Sequence, residues 1–174
     1  MNIGLFLFLG VISRFVPHLP NFTPIGALIL NGSRKKPLNG FLLAIGIMVI
    51  SDILLGFSFA SPFVYLGMAS YALFGKLLNK RFGLIVAPIL GSVFFFIISN
   101  FGVWIGPWYE HSIAGLIKCF TLALPFFQYT LLSDLTFTIL IFATISITKK
   151  IKKGEKIWQP SYPLRILKKK YKKE

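Results

Sequence analysis

An all-α polytopic membrane protein, a bundle of six transmembrane helices with a short second helix, is the fold class this sequence predicts, on three observations. Hydrophobic residues make up 55% of the 174-residue chain. Apolar runs of about 17 to 22 residues recur along it, each long enough to cross a hydrocarbon layer about 30 Å thick. Basic residues fall in alternate connections: residues 34–36, 76–81 and everything after 148 carry Lys or Arg, whereas 17–22, 58–62 and 102–112 carry none. Such a chain has room for a single helical domain over 1–148 and a basic tail over 149–174, without a soluble catalytic lobe.

The first span runs from Asn2 to Val16. Its start, Met1-Asn2-Ile3-Gly4, lacks the basic opening and small-residue cleavage site of a secretory signal, so it reads as a retained helix. Pro17 and Pro20 remove backbone donors and disfavour helical geometry in the residue before each, which stops this span near Val16. Thr23-Pro24 then starts a second helix, Thr as N-cap and Pro at the first position, and that helix reaches only Gly32. It is too short to cross. Its open end belongs inside the protein, where irregular backbone at membrane depth is tolerated. A third span covers Leu38 to Phe57, a fourth Phe63 to Leu78 and a fifth Gly83 to Phe101, which leads into the aromatic loop 102–111.

Residues 112–148 are too many for one span of ordinary tilt, and Pro125 interrupts them. Charge chooses between one span and two. Lys and Arg concentrate in cytoplasmic loops, and six spans place all three basic regions on one side. The expectation is a lead-in helix over 112–124 and a last span over 126–147, with both termini cytoplasmic in a multi-pass protein of the cell (inner) membrane. The tail holds eleven Lys or Arg and two Glu, a match for anionic lipid headgroups. No nucleic-acid-binding module accompanies it.

This topology puts Arg14, His18, Asp52, Asn100, Trp104, Glu110, His111 and Asp134 toward the outer side. A charge at bilayer depth costs about 2.5–3.5 kcal/mol on insertion scales, so Arg14, Asp52 and Asp134 should face the bundle interior. They either pair with one another or line a wet cavity open outward. The lone cysteine, Cys119, excludes an internal disulfide and a Cys-rich cluster, and no His/Cys/carboxylate group has metal-ligand spacing. Neither a metal nor another cofactor is expected. Nor is catalysis: Asp52 and Asp134 can be imagined as paired catalytic carboxylates, but neither sits in a protease-like motif.

The string Arg14-x-x-Pro17-His18-x-Pro20-Asn21-Phe22-Thr23-Pro24, with Ser51-Asp52-x-x-Leu55-Gly56 and Asn100-Phe101-Gly102-Val103-Trp104, resembles an uncharacterised family of small bacterial six-helix membrane proteins. The six-helix layout, the short second helix after a Pro-rich loop and the closing Leu124-Pro-Phe-Phe…Leu132-Ser-Asp134 are similar to the substrate-binding S components of energy-coupling-factor vitamin transporters. The resemblance covers about residues 10 to 147. It implies a substrate-binding subunit for uptake of a small polar solute, with the ligand in the outer half of the bundle. It further implies a membrane scaffold subunit and cytoplasmic ATPases as partners beside the lipids and the solute. The Ala-x-x-x-Ala surface that S components present to the scaffold is missing from the first span, which offers Gly4, Gly10 and Ser13 at other spacings.

The substrate-binding candidates are Arg14, His18, Asn21, Thr23, Asp52, Asn100, Trp104 and Asp134. Arg14 and the Thr23-Pro24 helix start suit an anionic part of a ligand, Asp52 and Asp134 a polar or cationic part, and the tryptophans a closure above. No G-x-x-x-x-G-K-[ST] phosphate loop is present, so ATP-driven steps fall to partners. The alternative is a non-transport structural or assembly protein whose buried charges only stabilise the bundle.

Overall fold

The computed structural model describes residues 3–153. Two compact units divide the chain, Met1–Phe142 and Ala143–Glu174. Among the described residues there are six α-helices and one short 3-10 helix, without strands: α1 (Ile3–Ser13), α2 (Ile25–Ser33), α3 (Pro37–Leu55), α4 (Ser61–Phe74) continued by the 3-10 turn Gly75–Asn79, α5 (Gly83–Ile105) and α6 (Ile113–Lys152). Three of them, α3, α5 and α6, are long and apolar enough to cross a membrane. Their outward faces carry Leu38, Leu42, Ile53 and Leu54 on α3 and Ile85 and Ile97 on α5, all at least half exposed. So much contiguous apolar surface suits lipid rather than water.

Helix α2 is the centre. All nine of its residues are buried, Asn31 and Ser33 among them, and both of these turn a side-chain donor back onto a carbonyl of their own helix. Contacts around it show that consecutive helices alternate in direction. Leu7 approaches Gly46, Gly10 approaches Ile47, and Arg14 reaches Asp52, so α1 and α3 run parallel. Gly40 lies against Ile29 and Ser33, and Gly32 against Leu43, so α2 runs opposite to α3. Phe74 meets Phe94 and Gly102 meets Phe63, which makes α4 and α5 antiparallel. Phe96 meets Phe120 and Ser92 meets Asp134, which does the same for α5 and α6.

Alternation gathers the connections at two ends. Arg34, Lys35 and Lys36 share one end with Lys76, Lys80 and Arg81, and the two basic connections touch: Arg34 Nη2 donates to Asn79 Oδ1 at 2.9 Å. The guanidinium of Arg34 also lies 4.3 Å from the centre of the Phe142 ring, a cation–π distance. At the opposite end lie residues 14–24, 56–60 and 106–112. Apart from Arg14, the Lys and Arg residues of these connections thus lie at the first end.

Several boundaries differ from the sequence expectation. Helix α1 ends at Ser13, three residues before Val16, because Arg14 and Phe15 close it with turn-type bonds to Val11 O and Ile12 O at 3.1 and 3.0 Å. Pro24, not Thr23, is the residue preceding α2, and no side chain caps it. The lead-in and last span form one helix of 40 residues, about twice what a crossing needs. Pro125 does not break it: the helix runs on through the exposed proline, which forgoes one donor to the carbonyl a turn earlier. The described part of the second unit, residues 143–153, is helical through Lys152 and ends in exposed lysines. The remaining tail, including Lys168–Lys173, lies outside the described residues.

Candidate functional site

The connection between α1 and α2 supplies the first charged group. Arg14 follows the end of α1, and Nη1 donates to Ser51 Oγ at 2.6 Å and to Asp52 Oδ1 at 2.5 Å. The other carboxylate oxygen of Asp52 accepts from Tyr65 on α4 at 2.6 Å. The pair is largely dry, with 22% of the Arg14 side chain exposed and 6% of Asp52. Arg14, α3 and α4 are thereby tied at one point near the end of the molecule that lacks basic loops.

Asp134 makes a second cluster. It is buried in α6, where Oδ2 accepts from Tyr71 on α4 at 2.5 Å and from Ser92 on α5 at 2.7 Å. The preceding residue, Ser133, donates to Thr23 O at 2.5 Å and pins the start of α2 to α6. Two tyrosines six residues apart on α4 therefore serve the two aspartates. At 100° per residue they point to different neighbours.

The carboxyl of Asp134 rests against the first turn of α2 because position 26 is glycine. A Cβ there would collide with Asp134 Oδ1 and lie 2.7 Å from the Tyr71 ring. The α2 start that sequence reasoning reserves for a ligand's anion is thus faced by the protein's own acid, where the helix dipole favours negative charge. Gly26→Ala should lower the thermal midpoint in detergent by the equivalent of about 1–3 kcal/mol, the range for overpacking, since both the hydrogen-bonded carboxylate and the buried Tyr71 ring must give way. A midpoint equal to wild type would show that the close approach does not exist.

Between the clusters lies a cavity of about 260 Å³, just below the size usual for drug-like ligands. Arg14, His18, Asn21, Thr23 and Asp134 all line it. His18 is exposed, with Nδ1 2.9 Å from Leu19 O, and Asn21 adopts the left-handed conformation at φ 61° that turns the chain toward α2. Asp52 borders the cavity only through Arg14. Asn100 and Trp104 stand apart from it. Asn100 Nδ2 donates to Phe96 O at 2.8 Å, and Trp104 Nε1 donates to Glu110 O at 3.1 Å within a loop that packs on itself through Phe101 and His111.

Sequence reasoning missed Tyr65, Tyr71, Ser51, Ser92, Thr130 and the methionines Met48 and Met68, of which Tyr71, Thr130, Met48 and Met68 line the cavity. One signal was available: both buried acids occur as Ser-Asp, at 51–52 and 133–134, and each serine is used. Among the described residues no group of three His, Cys, Asp or Glu is placed to hold a metal ion.

Fold and site define an all-helical protein, among its described residues, with three helices long and apolar enough to cross a membrane and a cavity lined by Arg14 and the buried Asp134. The chain belongs to DUF6580, a family of unknown function whose model matches residues 1–156. No curated protein and no solved structure matches it.

Proposed function

We propose that this protein is a six-span integral membrane protein that captures a small polar solute from the outer side, in the manner of a substrate-binding S component. It acts as a binding protein and not as an enzyme. The observation that carries the reading is the shared lining: Arg14, from the break after the first helix, and Asp134, from the last, border one cavity although 120 residues separate them. Nothing in a purely structural bundle requires that space. The lining joins a guanidinium and a carboxylate with an apolar wall, which suits a small solute that has both polar and apolar parts.

The segregated basic loops support the orientation, with residues 34–36 and 76–81 cytoplasmic by the positive-inside rule and the cavity near the other face. His18 and Asn21 lie at its mouth, and Arg14 offers donors beyond the one held by Asp52. Uptake, as distinct from capture, depends on partners, since the sequence has no phosphate loop; a scaffold with ATPases is the arrangement the S-component likeness supplies. A competing structural reading draws on the Arg14–Asp52 bond, which satisfies both partners without a ligand.

A solute-library thermal-shift screen with Met68→Trp as control separates the two. Met68 lines the cavity without holding a charge, so tryptophan there fills the space and leaves both aspartate clusters intact. Solute capture predicts at least one compound that raises the wild-type midpoint and leaves the variant unmoved. Equal responses to every compound would leave the structural reading standing.

A further inference from the structure

Resting on the capture reading, we infer that the solute carries an organic ammonium group, and that Asp134 Oδ1 receives it against the rings of Tyr71 and Phe95.

Three independent features point the same way. Asp134 is 2% exposed and Oδ2 takes both hydrogen bonds it receives, while among the described residues no donor reaches Oδ1. An acid this deep holds an acceptor that the protein leaves open. Charge balance is the second feature. Arg14 and Asp52 neutralise one another, and no Lys, Arg or His among the described residues bridges to Asp134, so when both acids are ionised Asp134 has only the partial charge of the α2 start to set against its own. A monocation balances that charge; a monoanion would worsen the imbalance.

The third feature is the wall. Tyr71 and Phe95 line the cavity with ring centres 6.4 Å apart and planes tilted by 51°, and Met48 and Met68 add polarisable sulfur. An aromatic wall beside a carboxylate suits an alkylammonium, which gains from the ring quadrupole as well as from the charge. Inorganic cations prefer a shell of several oxygens instead. The N–H donors of Arg14 that Asp52 does not use can then hold an acceptor at the far end of the same solute.

Matched probes of one size test this: propylammonium, propionate and propanamide, titrated into the detergent-purified full chain at constant ionic strength, with binding read by saturation-transfer NMR. Signal that persists in Met68→Trp is subtracted as micelle partitioning. Propylammonium should bind at least ~10-fold more tightly than propanamide, and Asp134→Asn, which keeps the shape and the hydrogen bonds to Oδ2, should remove that preference. Preference for propionate or propanamide in wild type would overturn the ammonium assignment and leave the cavity as a solute site. Absence of all three signals would overturn both. Ranking of the probes in wild type decides the matter even if Asp134→Asn fails to fold.

Discussion

Arg14→Met should reduce unfolding free energy by about 3 kcal/mol, and adding Asp52→Asn should restore most of it. Removing one member of a buried ion pair leaves the other charge without compensation, which costs about 3–5 kcal/mol, whereas replacing both is often close to neutral. Asp52, at 6% exposure, would be stranded beside Met48 and Tyr65; the partial exposure of Arg14, at 22%, moves the expectation to the lower end. Titrating the purified single and double variants with sodium dodecyl sulfate measures the coupling directly. A loss below about 1 kcal/mol for the single variant would class the pair with exposed salt bridges. It would also remove the reason to treat Arg14 as fixed in orientation at the cavity wall.

Tyr71→Phe should cost about 1.5–3 kcal/mol, and Ser92→Ala distinctly less. Both hydroxyls donate to Asp134 Oδ2, and hydrogen bonds to a charged group lie in that range. The difference comes from the alternatives each donor has. Ser92 Oγ also lies 2.8 Å from Pro88 O, so its single hydrogen is shared between two acceptors, while Tyr71 is fully buried and has Asp134 alone. Denaturation midpoints of the two variants should therefore fall in the order Ser92→Ala above Tyr71→Phe. The reverse order would mean that Ser92, and not Tyr71, holds the acid in place.

Much of the helical layout was legible in the sequence because its signals are local. The prolines at 17, 20 and 24 mark where one helix stops and the short buried one begins, and basic loops of alternating placement mark the turns. Partnership among the charges was not legible. Arg14 faced two acids at similar expected depth, and only the parallel packing of α1 on α3, through Gly10 and Gly46, selects Asp52. Tyrosines in apolar helices read by default as interface anchors, so nothing in the string 61–74 announced that Tyr65 and Tyr71 each bind an aspartate. Asn100 and Trp104 lie outside the cavity lining, and each donates to a backbone carbonyl nearby, a local pairing that the sequence does not announce. Pro125 suggested a break, and the helix instead runs through it from Ile113 to Lys152.

Native mass spectrometry of the full-length protein, released from mild detergent, tests solute capture most directly. Solute capture predicts a discrete small-molecule adduct on wild type, carrying a basic nitrogen in its fragmentation pattern, that Met68→Trp lacks at equal protein signal. Bare wild-type protein, or an adduct of the same mass and abundance on both proteins, would contradict it.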